Sequence, residues 1–377
     1  PAVVSAGVVG VKCQAACWAL GIVHQPFGHN GEDAISHWFQ ADDNAHFLAP
    51  WTPLQQADLK TVEGNAQGFR LVTQVEYQRF DGGMRLTYAT LGAFLKYPWG
   101  VDQVVQGQAK KFGCYQAELP WLRQLAQTLG MLQLGEDRWA RHPLVYLLEA
   151  ADDICYGLID LEDGIEMGLL RYHEVEAILQ PLLASRWSDI ALDLENADNE
   201  RRRLQMRRGQ VMEVLVNAVS QTFVAHEPQI LRGQLKGDII DYCPQSVQTL
   251  VSQAKALARE RIFRDGRKLA VEIGSYSTLG TLLDAFLSAV RERVLEGQAT
   301  FRNHRVLELM GRSAPQADWG LYEAYILAID FISCITDTYS AEFARQFHVY
   351  QPPPRFYSRG RPPRPLSAFF FLFFFLF

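Results

Sequence analysis

The chain has 377 residues, of which 48% are hydrophobic and 21% are charged. This composition is typical of a globular protein and supplies enough apolar material for a sizeable core, in one large domain or two ordinary ones. The formal net charge of −6 excludes a global basic field that would attract nucleic acid or an anionic membrane.

The six cysteines are scattered along the sequence, mostly in apolar stretches. Only Cys13 and Cys17 are close together, and no second pair completes a zinc site. We therefore expect ordinary buried thiols in a reducing, cytoplasmic setting. The sequence has no signal peptide and no apolar run long enough to span a bilayer, so we expect no membrane association.

Apolar residues recur at steps of three and four in several long segments, which predicts an all-α protein. The segments with this pattern are residues 144–164, 207–223, 268–287 and 322–347. In the third, the predicted apolar face runs from Leu269 and Ile273 to Leu287. Residues 69–75, FRLVTQV, are the best strand candidate and could equally begin a helix.

The sequence changes character at about Tyr350. Residues 351–366 are rich in proline and arginine, which predicts an extended segment. The phenylalanine-rich end that follows is too short to cross a membrane as a helix. The expected organisation is one large domain over residues 1–350 and an extended tail over residues 351–377.

Asp152, Tyr156 and Asp160 are spaced i, i+4 and i+8, so they share one face of the helix predicted at 144–164. One interpretation is a solvated acidic surface. The other is a cleft, because the segment is otherwise strongly apolar. Buried carboxylates need a metal, another cation or protons.

His29 and Glu32 are spaced i, i+3, and one helical turn would bring them together. A histidine beside a carboxylate suits acid/base chemistry, although two loop histidines can also mark an exposed turn. Two further stretches add Asn65 in VEGNAQGFR and Lys96 in FLKYPWG. A lysine there can meet phosphate as a point charge.

Five arginines crowd one helix start in NERRRLQMRRGQ: Arg201, Arg202, Arg203, Arg207 and Arg208. The pattern fits a solvated helix face, an anion or subunit contact, or a patch that binds single-stranded nucleic acid weakly.

Several segments, in order along the chain, resemble the HD-domain deoxynucleoside triphosphate triphosphohydrolases, the bacterial dGTPase-like family. They are PFGHNGE, EGNAQGFR, RLTYATLGAFLKYPW, EAADDICYGLIDLED, GRKLAVEIGSYSTLGTLLDAF and DFISCITDTYSAEFARQ. The resemblance implies an all-helical HD-type fold and a homo-oligomer, commonly a hexamer. It also implies hydrolysis of a dNTP, with dGTP first among substrates, to a deoxynucleoside and tripolyphosphate by metal-activated water.

The resemblance carries roles over residue by residue. It assigns catalysis to His29 and Glu32, nucleotide contacts to Asn65 and Lys96, the sugar end to Tyr156 and Asp160, and metal ligation to Asp152. The implied cofactor is a divalent metal, Mg²⁺ or Mn²⁺.

The sequence departs from the family pattern at the expected metal ligands. Leu20 and Gly21 stand where the family has an adjacent His-Asp pair, and residues 1–18 contain no histidine. Three of the four ligands that the resemblance implies are therefore missing. We expect a truncated or misassigned N-terminus, and the rival hypothesis is a metal-free paralogue that binds nucleotide in a regulatory or structural role.

Overall fold

The computed structural model describes residues 6–22, 25–75, 83–183 and 200–348. Helix dominates these ranges, and their strand content is a short antiparallel pair, β1 (Gln133–Gly135) and β2 (Arg138–Trp139). The predicted all-α fold is confirmed. The tail predicted after residue 350 lies outside the described residues.

The helices follow one another along the chain with short connections. The first eight are α1 (Ala6–Ile22), α2 (His29–Gln40), α3 (Ala45–Leu48), α4 (Pro53–Lys60), α5 (Gly64–Arg70), α6 (Tyr88–Phe94), α7 (Asp102–Val105) and α8 (Leu119–Leu129). After the strands come α9 (Val145–Glu166), α10 (Tyr172–Leu183), α11 (Glu200–Ala225), α12 (Glu227–Leu231), α13 (Gln245–Leu257), α14 (Gly266–Glu296), α15 (Phe301–Met310), α16 (Leu321–Ser333) and α17 (Asp337–His348).

The four segments with helical periodicity all form helices, in α9, α11, α14 and the α16–α17 pair. The last segment is interrupted because Cys334 ends α16 before α17 begins at Asp337. The strand alternative for residues 69–75 is wrong. There α5 ends and a π-helical turn follows, in which the Thr73 hydroxyl donates to the Phe69 carbonyl at 2.6 Å.

The apolar face predicted along residues 268–287 is buried only in its second half. Leu283 and Leu287 are fully buried, whereas Leu269 is 43% exposed and Ile273 is 75% exposed. Periodicity detects a helix but does not say whether another element covers each turn of it. The first turns of α14 therefore expose apolar side chains.

The chain divides into two compact units. The first unit comprises residues up to Cys17 and residues 142–269, within the described ranges. In it, α9, α10, α11 and α13 pack against one another. Their buried faces carry the leucines and valines that the helical periodicity predicts, such as Leu158, Leu179 and Leu215.

The second unit comprises residues 18–141 and the chain from Ala270 onward, again within the described ranges. Its core is built from α2, the second half of α14, α16 and α17. Large side chains such as Phe39, Phe286 and Tyr325 are fully buried there. This core fixes the start of α2.

A buried group of charges links α5 to two other elements of the second unit. Arg70 Nη1 donates to Glu118 Oε1 at 2.5 Å, and Arg70 Nε donates to both oxygens of Asp330 at 2.9 Å. Gln67 Nε2 donates to Asp330 Oδ1 at 2.7 Å. Burial raises the pKa of Glu118 to about 7, although the Arg70 charge opposes the shift. Arg70 thus holds two carboxylates inside the protein.

The six cysteines are thiols, and the expectation that they are buried holds for all except Cys334. Cys334 is exposed because it lies at the end of α16. No helix in the described ranges is both long and apolar enough to cross a membrane.

Replacing Arg70 by methionine should destabilise the protein strongly, because Glu118 and Asp330 would stay buried without their cation. We expect Arg70→Met to lower the free energy of unfolding in urea by about 3–5 kcal/mol. Arg123 pairs with Asp137 at the surface, so Arg123→Met is the matched control, with an expected loss of less than about 1 kcal/mol. Equal losses in the two variants would contradict this account.

Candidate functional site

The predicted His29–Glu32 pair forms at the first turn of α2. His29 Nδ1 lies 3.1 Å from Glu32 Oε1, as the i, i+3 spacing predicts. The His29 side chain is 80% exposed, whereas that of Glu32 is 14% exposed. An imidazole open to a ligand is therefore backed by a mostly buried carboxylate, which is the arrangement that acid/base chemistry needs.

The loop that leads into α2 has an unusual backbone. Phe27 has φ 63° and Gly28 has φ 55°, the left-handed conformation that a residue with a bulky side chain rarely adopts. The backbone N–H of Phe27 donates to Asp337 Oδ1 at 2.9 Å. This bond helps to hold the loop that places His29.

The start of α5 packs directly on the Glu32 carboxylate. A Cβ on Gly64 would lie 2.5 Å from Glu32 Oε1, so only glycine leaves room there. Asn65 follows, and its Nδ2 donates to Glu63 Oε1 at 2.6 Å. The structure therefore brings Asn65 to the same part of the second unit as His29 and Glu32.

Lys111 adds a cation that the sequence analysis missed. Its Nζ lies 3.7 Å from Glu63 Oε1, and its side chain is 40% exposed. Lys111 comes from the loop after α7, and no local spacing connects that loop to His29. The long-range packing that brings them together has no signal in a single sequence.

The electrostatic environment of His29 raises the pKa of its imidazole. The hydrogen bond with Glu32 is the largest cause, and the negative charges of Glu32 and Glu63 act in the same direction. Partial burial and the Lys111 charge oppose the shift. The raised pKa keeps a larger fraction of His29 protonated near neutral pH.

Asp152, Tyr156 and Asp160 lie on α9 in the first unit, on one face as predicted. Burial, and then the neighbouring Asp163, raises the pKa of Asp160 to about 6, while Lys268 opposes the shift. Burial also raises the pKa of Tyr156, with Asp152 and Asp160 adding to it. Tyr156 is 36% exposed, so the face is neither fully buried nor fully solvated.

The described residues do not fit the metal that the resemblance implies. Asp152 has the buried thiols of Cys17 and Cys155 near it, and its charge raises their pKa values. Nowhere in the described ranges do three or more His, Cys, Asp or Glu side chains form a group that could hold a metal ion. Leu20 and Gly21, near the end of α1, offer no ligand atoms.

Lys96 lies in the loop after α6, with its ammonium 6.0 Å from the centroid of the Tyr97 ring. It belongs to the second unit, as do His29 and Asn65. Its predicted contact with the nucleotide stays a prediction.

Three of the five clustered arginines at the start of α11 form ion pairs with glutamates of α9 and α10. The pairs are Arg201–Glu166 at 2.8 Å, Arg208–Glu162 at 2.5 Å and Arg207–Glu176. These pairs attach α11 to its neighbours in the first unit. A nucleic acid would compete with them, and weak single-stranded binding stays a prediction.

Comparison with known proteins was made by family and by sequence. No family model matches the chain. A deoxyguanosinetriphosphate triphosphohydrolase-like protein of Pseudomonas aeruginosa is 50% identical over 90% of this chain and 77% of its own length. A protein of the same name from Synechocystis is 32% identical, over 89% of this chain and 76% of its own length.

A deoxyguanosinetriphosphate triphosphohydrolase of Salmonella paratyphi A is 25% identical over 90% of this chain and 78% of its own length. The relatives thus carry names of nucleotide triphosphohydrolases or proteins like them. On the identity and coverage of the first two, the chain belongs to the deoxyguanosinetriphosphate triphosphohydrolase-like family.

Replacing Gly64 by alanine should separate His29 from Glu32. The added Cβ would overlap Glu32 Oε1, and this flexible carboxylate would move more easily than the helix. We expect the pKa of His29 to fall toward the ordinary histidine value, as measured by NMR titration of the ring. Gly209→Ala in α11, where a Cβ meets no atom within 4 Å, is the matched control. A His29 pKa that stays the same in Gly64→Ala would argue against the contact.

Proposed function

We propose that this protein hydrolyses deoxynucleoside triphosphates, with dGTP as the preferred substrate, to a deoxynucleoside and tripolyphosphate. The observation that carries the proposal is the His29–Glu32 pair, an exposed imidazole backed by a mostly buried carboxylate. Membership of the family supports the same reaction. Family membership alone would leave open whether this chain has kept any catalytic machinery.

In the proposed reaction, water attacks the α-phosphorus and the bond from that phosphorus to the 5′-oxygen breaks. His29 donates a proton to the leaving 5′-oxygen, and Glu32 orients the ring and stabilises its protonated form. The products are the deoxynucleoside and tripolyphosphate, which keeps the α-phosphorus with the new oxygen. This role requires a protonated imidazole, as its raised pKa favours.

Binding of the nucleotide would use polar groups of both units. In the second unit, Lys96 and Lys111 supply positive charge for the phosphates, and Asn65 supplies an amide. In the first unit, Tyr156 would pack on the deoxyribose, with Asp160 beside it on α9.

The divalent metal that the resemblance implies stays a prediction. Leu20 and Gly21 cannot ligate it, and we assign it no step. The structure does leave space for a side chain at position 21, because a Cβ on Gly21 would meet no atom within 4 Å.

A second candidate function is nucleotide binding without hydrolysis, in a regulatory or structural role. The observation that favours it is the Leu20–Gly21 pair at the expected ligand positions. A site that retains the acid/base pair but cannot neutralise the phosphate charge would bind the substrate and turn it over slowly.

Incubation with each dNTP separates the two functions. We expect the protein to release tripolyphosphate from dGTP, with Mg²⁺ or Mn²⁺ present. His29→Ala should reduce this rate by roughly 10²–10⁴-fold and leave dGTP affinity, measured by calorimetry, nearly unchanged. Binding of dGTP with no release of tripolyphosphate would support the second function, and the absence of both would contradict both proposals.

The pH dependence of hydrolysis should report the His29–Glu32 bond. The protonated His29 is present below its pKa and lost as pH rises through it. Since Glu32 raises that pKa, Glu32→Gln should move the alkaline limb of kcat/KM to lower pH. Glu308→Gln on α15, which removes an exposed carboxylate, is the control. An alkaline limb that stays in place in Glu32→Gln would show that His29 is not the general acid.

Discrimination against ribonucleotides should depend on the ring of Tyr156. A tyrosine packed on the deoxyribose would crowd a 2′-hydroxyl, so Tyr156→Ala should admit GTP. Tyr156→Phe keeps the ring and should keep the discrimination. The measurement is the ratio of kcat/KM for dGTP to that for GTP, and the same ratio in Tyr156→Ala as in the parent would refute the assignment.

A further inference from the structure

The segment DFISCITDTYSAEFARQ runs from α16 into α17, and no part of it takes part in the proposed reaction. Two of its residues, Asp330 and Asp337, use their carboxylates to hold other parts of the second unit. Each contacts a different piece of the backbone that carries the His29–Glu32 pair.

Asp330 is the attachment point of α5. Its side chain is 1% exposed and accepts hydrogen bonds from Gln67 and from Arg70. Both donors lie on the buried side of α5. A carboxylate this deeply buried requires its partners, so α5 cannot shift without leaving a charge uncompensated.

The other end of α5 lies against Glu32. Gly64, the first residue of the helix, is in close contact with Glu32 Oε1. Glu63, which caps the helix, binds Asn65 and lies near Lys111. The position of α5 along its axis therefore sets where the Glu32 carboxylate can lie.

Asp337 acts on the other partner of the pair. It accepts a hydrogen bond from the backbone N–H of Phe27 at 2.9 Å. Phe27 has the left-handed backbone conformation, and His29 is two residues further along. Such a conformation persists only where its surroundings hold it, and Asp337 supplies one of those contacts.

We infer that Asp330 and Asp337 are positioning residues. Asp330 acts through α5 and Asp337 through the Phe27 loop, and together they fix where Glu32 and His29 meet. Neither residue is assigned a contact with substrate. The inference rests on the proposed function, because their effect on the reaction is the effect of the pair they position. Misplacement by about 1 Å can cost on the order of 10²-fold in rate.

Two variants of the full chain test the inference, Asp330→Asn and Asp337→Ala. In each, NMR titration should show the pKa of His29 lower than in the parent protein, because Glu32 and His29 would no longer be held in register. Hydrolysis of dGTP should show kcat reduced by roughly 10–10²-fold, with KM little changed. A purely structural role would lower the melting temperature without moving the His29 pKa.

Matched controls come from the first unit. Glu176→Gln removes the partner of the buried Arg207, as Asp330→Asn weakens the pairing of Arg70. Asp265→Ala removes a carboxylate that accepts a backbone N–H at the start of α14, as Asp337→Ala does for Phe27. Both controls should leave the His29 pKa unchanged, whatever they do to stability.

A His29 pKa that stays at the parent value in both test variants would overturn the inference, and a shift in only one would overturn it for the other residue. If Asp330→Asn does not fold, Gln67→Met removes one donor to Asp330 and is judged by the same criterion. If the parent protein does not hydrolyse dGTP, the proposed function fails. The His29 titration still decides whether the two residues position the pair.

Discussion

The arrangement of the second unit depends on a guanidinium buried between two carboxylates. Arg70 lies at the end of α5, Glu118 in the turn before α8, and Asp330 in α16. Buried charges are tolerated only when their partners are close and well oriented, so these three elements have little freedom to move apart. The start of α5 follows from this constraint, and with it the position of Glu32 and the orientation of His29.

Much of the local structure could be predicted from the sequence, because helical periodicity and i, i+3 spacing are local properties. The helices at α9 and α11 and the contact between His29 and Glu32 follow from such patterns. Periodicity was less informative for α14, whose first turns are exposed although the pattern predicts a continuous apolar face. It also left residues 69–75 undecided between strand and helix, which tertiary packing settles.

The contacts that build the site around His29 could not be predicted in the same way. Asp330 and Arg70 are separated by 260 positions, and no spacing rule connects them. Lys111 comes from a distant loop for the same reason. The requirement for glycine at position 64 becomes visible only when Glu32 is seen against it. The resemblance to a family supplied the proposed substrate, which neither composition nor periodicity could have supplied.

The protein combines a complete acid/base pair with incomplete provision for metal. Proton transfer to a leaving group and neutralisation of phosphate charge are separate requirements of phosphate chemistry. His29 and Glu32 meet the first. Lys96 and Lys111 offer positive charge toward the second, whereas Leu20 and Gly21 remove two of the ligands that the family resemblance implies. The protein therefore separates the two requirements in a way that can be examined directly.

The identity of the phosphate product tests the central claim most directly. Phosphorus NMR of dGTP incubated with the full chain follows all three phosphorus atoms in one experiment. The account predicts tripolyphosphate as the phosphorus-containing product, formed with one equivalent of deoxyguanosine. Orthophosphate with dGDP, or pyrophosphate with dGMP, would place the broken bond elsewhere in the triphosphate and contradict the account.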